Sequence, residues 1–118
     1  MQVQLNTDNH VTGSQNLSTY VDEEIRAKLR RFSDRITRVE VHLHDLNSAK
    51  AVGDDKRCTI ESRVSGKPPV SVTHDAPIMD RAIHGAIEKM IHALDRVFGK
   101  AEAGRHAVVP PVVDPAEG

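Results

Sequence analysis

The chain has 118 residues, with 16 Lys and Arg against 17 Asp and Glu, a formal net charge of −1 and one cysteine. One domain fits that length, and a domain of this size buries enough surface to fold without a disulfide or metal staple. A single cysteine excludes an internal disulfide framework, and 3% aromatic residues argue against an aromatic stacking platform for single-stranded nucleic acid.

Val3 and Leu5 alternate with Gln2, Gln4 and Asn6, which predicts a short strand with one buried face. The N-terminus shows no basic region followed by an apolar run, and no stretch approaches the roughly 18 apolar residues of a membrane span, so a soluble cytoplasmic protein is expected. After a polar break, Ser14 or Ser18 is a candidate helix cap. Leu17, Tyr20, Val21, Ile25, Leu29 and Phe32 then recur at helical spacing, with a stop expected near Ser33-Asp34. Over 36–46 the period falls to two, with Val39, Val41 and Leu43 on one face and Glu40, His42 and His44 on the other. A turn is signalled by Gly53-Asp54-Asp55. A third strand over 57–65 points Cys58, Ile60, Ser62 and Val64 inward, and Gly66-Lys67-Pro68-Pro69 connects it to a fourth strand containing Val70 and Val72. Asp75 is the expected N-cap of a last helix, with Pro77 in its first turn and Gly99 as its stop. Its stripe runs through Ile78, Ala82, Ile83, Ala86, Ile87, Met90, Leu94, Val97 and Phe98. Residues 101–118 carry three prolines and no stripe, so a domain over 1–100 and a disordered tail are expected.

A helix between the first two strands requires a right-handed crossover and parallel pairing, whereas the later strands follow short connections and form an antiparallel meander. The expected fold class is therefore α+β: a β-α-β-β-β-α order, a four-stranded mixed sheet, and two helices packed on one face. The other sheet face is polar.

Catalysis finds no support. Cys58 occupies an inward strand position without a neighbouring cation or helix N-terminus to activate it, and reads as a buried, inert thiol. His42 and His44 project from one strand face beside Glu40, with Glu61 on the next strand. They are the candidate metal pair, but an open polar sheet face is the simpler reading, and no metal or cofactor is expected. His84 and His92 fall on one face of the last helix and read as a solvated stripe.

Charge is the informative pattern. From Arg26 to Arg38 there are six bases (Arg26, Lys28, Arg30, Arg31, Arg35, Arg38) against Asp34, a local net of +5. Asp22–Arg26 and Glu24–Lys28 are acid-before-base pairs at i,i+4. Arg30, Arg31, Arg35 and Arg38 have no such partner, and a cluster of guanidiniums suits phosphate. The last helix adds Arg81, Lys89, Arg96 and Lys100, offset by nearby acids.

Three pieces of text now combine in a specific order: the helix Leu17-Ser18-Thr19-Tyr20-Val21-Asp22-Glu23-Glu24-Ile25, the strand Ile36-Thr37-Arg38-Val39-Glu40-Val41-His42-Leu43, and the helix from Ala82-Ile83 through Leu94. In order and spacing the chain resembles the ribosome hibernation-promoting factor and ribosome-associated inhibitor family, also called sigma-54 modulation proteins, over about residues 1–100. The resemblance implies a non-enzymatic protein that binds the small ribosomal subunit through rRNA, covers the messenger and transfer RNA sites and silences translation under stress in a bacterial cytoplasm. Basic residues on the two helices make that contact in the family, which implicates Arg26, Arg30, Arg31, Arg35, Lys89 and Arg96. Arg38 and Arg81 join them on charge pattern. Glu24, His92 and Asp95 stand where the family is typically basic, giving the last helix a weaker electrostatic footprint. The alternative is a diverged protein-interaction or self-associating module of the same fold, toward which the Val108-Val109-Pro110-Pro111-Val112-Val113 tail points.

Overall fold

The structure, a computed structural model, describes residues 1–8, 15–46 and 55–105. In chain order it contains β1 (Gln2–Thr7), α1 (Gln15–Lys28), a 3-10 turn (Arg30–Phe32), β2 (Ile36–Asp45), β3 (Lys56–Val64), β4 (Val70–Ala76) and α2 (Met79–Arg105). The sheet order is β1-β2-β3-β4. β1 runs parallel to β2, with Val3 opposite Val39 and Leu5 opposite Val41. β3 is antiparallel to both β2 and β4. This is the α+β order expected from the alternation of periods, and the parallel pair is the one that the α1 crossover demands.

One face of the sheet and one stripe of each helix make the core. Val21, Ile25 and Leu29 meet Val39, Val41, Leu43 and Ile60 from one side, and Ile83, Ile87, Met90 and Leu94 from α2 fill the rest, each at most 2% exposed. Full burial of such a side chain is worth about 1.5–3 kcal/mol, so the shared face holds both helices on one side of the sheet. Ile36 and Val39 both face inward although three residues apart. The register with β3 shifts between Ile36 and Arg38, and this bulge restores the phase. Gly66 takes φ 75° in the β3–β4 turn, the left-handed region that favours glycine, and the Lys67 N–H closes the turn on the Val64 carbonyl at 3.2 Å.

Both ends of α2 depart from expectation. Asp75 is no helix cap; it lies in β4 directly opposite Arg57 of β3. Arg57 donates from Nε and Nη2 to the two Asp75 carboxylate oxygens at 2.8 and 3.0 Å. That fork holds the residue in the sheet, and α2 begins only beyond Pro77, with the Ala82 N–H donating to the Ile78 carbonyl at 3.0 Å. At the other end α2 passes Gly99 and continues to Arg105. One mid-helix glycine costs only about 1 kcal/mol, and the Lys-Ala-Glu-Ala that follows is strongly helix-forming. Ser18 lies inside α1 and caps nothing, while Ser14, the Gly53-Asp54 turn and residues 106–118 fall outside the described residues.

Candidate nucleic-acid interface

Parallel helices on one side of the sheet leave a seam between them, and each end of the seam is closed by polar contacts. At the N-terminal end the Tyr20 hydroxyl donates to Asp80 Oδ1 at 2.5 Å and lies 2.8 Å from His84 Nε2. A hydroxyl has one proton, so with Asp80 accepting it, His84 is the donor in the second contact. Glu24 reaches the same imidazole at 3.4 Å, and Asp80 Oδ2 stands 3.8 Å from its other nitrogen. The Asp80 hydrogen bond, helped by desolvation, pushes the Tyr20 hydroxyl up to about 12. His84 thus ties α1 to α2 rather than simply facing water, while His92 is exposed.

At the C-terminal end Arg31 donates from both terminal nitrogens to Asp95, at 2.7 and 2.9 Å. The Phe32 and Phe98 rings stack beside it with centroids 5.8 Å apart. Arg31 lies over Phe32 and Arg35 over Phe98, at 4.3 and 4.2 Å from the ring centroids. Two of the guanidiniums that lack i,i+4 partners are therefore engaged across the fold, by residues about sixty positions away that no local pattern could supply.

The other predicted bases, and Lys28 with them, differ in what they meet. Arg26 forms the expected pair with Asp22 at 3.0 Å and also donates to the Met1 carbonyl at 2.9 Å. Arg38, in β2, points to the open face of the sheet, pairs with Glu40 at 3.0 Å and donates to the side-chain amide oxygen of Gln4. Arg26 and Arg38 nonetheless meet around the β1 edge, where both line a shallow groove with Met1 and Gln4. Lys89 donates to the Thr73 carbonyl at 2.9 Å and so covers part of the β4 edge, a position where lysine discourages strand addition. Lys28, Arg30, Arg81 and Arg96 are exposed and carry no ion pair or side-chain hydrogen bond among the described residues. These four are solvated, two on the α1 side of the seam and two on α2.

The family model described as Sigma 54 modulation protein / S30EA ribosomal protein matches residues 5–102. The chain belongs to that family. No curated relative matches the sequence. Among solved structures it is similar to the N-terminal domain of Thermus thermophilus Protein Y, at 22% identity and TM-score 0.65, over 82% of this chain and 99% of that one. It is also similar to a ribosomal subunit interface protein from Coxiella burnetii, at 18% identity and TM-score 0.66, over 84% of this chain and 99% of that one. At these identities the likeness is one of fold. Within the S30EA frame, Glu24 and Asp95, acids at positions expected to be basic, acquire a physical role: Glu24 ties α1 to α2 through His84, and Asp95 ties α2 to the 3-10 turn through Arg31.

The open sheet face carries the remaining sequence candidates. His42 lies 3.5 Å from Glu40, and His44 lies 3.4 Å from Asp8. The two histidines thus turn to different carboxylates, and no group of three or more His, Cys, Asp or Glu among the described residues is placed to hold a metal ion. Cys58 is fully buried, and burial pushes its thiol up to about 12, which leaves almost no thiolate at neutral pH. No helix among the described residues is long and apolar enough to cross a membrane.

One pair escaped sequence reasoning. His74 occupies an inward position of β4, opposite Cys58, and its ring packs against Gly85 of α2. The available signal was Gly85 itself, a glycine in mid-helix between Ala82-Ile83 and Ala86-Ile87.

Proposed function

We propose that this protein is a non-enzymatic, ribosome-associated translation inhibitor of the bacterial cytoplasm. It binds the small ribosomal subunit through rRNA and occludes the messenger and transfer RNA sites during stress. Membership of the S30EA family across the whole domain carries the proposal. The solvated bases on both sides of the helix seam support it, because phosphate contacts position such a domain while RNA shape selects it. Lys28, Arg30, Arg81 and Arg96 form the principal contact set, with Arg26, Arg31, Arg35 and Lys89 beside them. Arg38, across the sheet, contributes through the β1 edge.

Co-sedimentation with ribosomes across a salt series tests this. The triple variant Arg30→Glu, Arg81→Glu, Arg96→Glu should flatten the plot of log affinity against log salt by about 2.7, some 0.9 per lost phosphate contact. None of the three is engaged within the fold, so the melting temperature should stay unchanged. Absence of co-sedimentation at low salt refutes the proposal.

A second reading, docking of a protein partner, draws on one observation. Val70, Ser71, Val72, Ala93, Arg96 and Val97 line a groove of mixed polarity between the β4 edge and α2. Charge introduced at Ala93 with ribosome binding intact, and loss of a partner in its place, would favour that reading.

A further inference from the structure

The C-terminal end of the helix seam holds a planar group in an unusual state of engagement. Both terminal nitrogens of Arg31 donate to Asp95, so the end-on edge of the guanidinium is occupied by a carboxylate. One region of the group lies over Phe32, 4.3 Å from the ring centroid. The side chain nevertheless keeps 60% of its surface in solvent. Beneath it Phe32 and Phe98, 1% and 5% exposed, form a stacked and buried base.

These constraints decide what the group can bind. Phosphate binding draws on a net positive charge as well as on the guanidinium fork, and Asp95 cancels that charge and fills the end-on fork of Arg31. A π system needs a fixed, planar, weakly hydrated surface, and that is what a forked guanidinium on an aromatic ring supplies. Unstacked RNA bases pack on arginine planes as well as on aromatic rings. Both phenylalanines of this cluster are buried, so the plane it offers to solvent is the guanidinium.

Resting on the rRNA reading above, we propose that Arg31, held by Asp95 over Phe32, is the docking shelf for one unpaired nucleobase splayed from an RNA helix. Arg30 and Arg96, the chain neighbours of the two shelf residues and both exposed, supply phosphate contacts beside it. The shelf adds to a shape-selective, phosphate-driven surface a preference for RNA with an extruded base.

Two RNA probes separate stacking from charge: a short duplex with one unpaired adenine, and the same duplex with an abasic residue at that position. Both carry the same phosphates. The full chain should bind the first about 5-fold more tightly, the size of a single exposed cation–π contact. Arg31→Lys keeps the charge but loses the plane, and should bring that ratio to about 1 with the salt slope unchanged. Asp95→Asn adds net positive charge while loosening the fork, so affinity for both probes should rise as the ratio falls. A fluorescent 2-aminopurine in place of the adenine should be quenched by the wild-type protein, which provides a readout independent of any variant's folding. Equal affinity of the wild type for the two probes, an Arg31→Lys variant that retains the ratio, or absence of 2-aminopurine quenching overturns the shelf and leaves the rRNA reading standing. Failure to bind either probe at low salt overturns both.

Discussion

Replacing Gly85 by alanine sets two opposed effects against each other, and the structure says which should prevail. Alanine in a helix interior is favoured over glycine by about 1 kcal/mol. A methyl carbon on Gly85, however, would stand 2.6 Å from His74 Cγ and closer still to Cδ2 and Nε2. Contact with Cγ, near the root of the side chain, means that the ring cannot escape by a small rotation of its tip. Overpacking of this kind costs about 1–3 kcal/mol, and overlap with three ring atoms belongs at the upper end. The expected net loss is roughly 2 kcal/mol, or about 8 °C in melting temperature for a domain of this size. In a His74→Ala background the obstacle is gone and the same substitution should stabilise by about 1 kcal/mol, the intrinsic preference alone. Thermal and urea unfolding of the four members of the cycle measure the coupling, expected near 3 kcal/mol. If Gly85→Ala has the same effect in both backgrounds, the imidazole does not occupy that space and the account of the β4–α2 contact is wrong.

Two further substitutions probe the sheet. Hydrogen bonding from Arg57 holds the Asp75 carboxyl below its ordinary value, so the pair stabilises the fold above the unfolded carboxylate range and loses that effect as pH falls through the folded pKa. Asp75→Asn should therefore lower the melting temperature at pH 7 by a small amount, on the order of 2 °C. The difference from wild type should begin to shrink near pH 3.8 and vanish only below the lower folded value, and a difference that persists in strong acid contradicts the linkage. Ser62 is fully buried between Val39 and Val70 in register, and its hydroxyl has no hydrogen-bond partner among the described residues. Ser62→Ala should stabilise the domain by about 1 kcal/mol in urea unfolding, and a loss of stability would mean that the hydroxyl is satisfied.

Elements whose identity depends on period were legible from sequence. The alternation at Val39-Val41-Leu43 and the stripe from Ala82 to Phe98 fixed strands, helices and sheet order, because each pattern has one way to bury its apolar face. Boundaries were not legible where a distant residue decides them. Asp75 carries a local helix-cap signature, but Arg57 in the neighbouring strand takes its carboxylate. The same limit applies to the site. Local charge found the basic segment, and a count of i,i+4 partners found Asp22–Arg26, yet the Arg31–Asp95 and His84–Glu24 contacts join residues on different helices. Such pairs exist only once the sheet has brought the helices together.

Those cross-helix pairs change what the charge of the chain means for RNA. A net of −1 hides the +5 over residues 26–38, because the acidic tail offsets a domain that is close to neutral. The fold then withdraws part of that +5: Asp22 takes Arg26, Asp95 takes Arg31, and Glu40 takes Arg38 on the far side of the sheet. Counterion release counts phosphates neutralised, and a cation already neutralised by the protein releases few. If all eight predicted bases met phosphate, affinity would fall about 20,000-fold between 50 and 200 mM salt; with only the four solvated bases, three of those eight together with Lys28, it falls about 150-fold. The proposed set of solvated bases predicts the lower figure. Ribosome affinity measured across that salt range therefore tests the site residue set as well as the function, since a loss in the thousands would require the internal pairs to open when RNA binds.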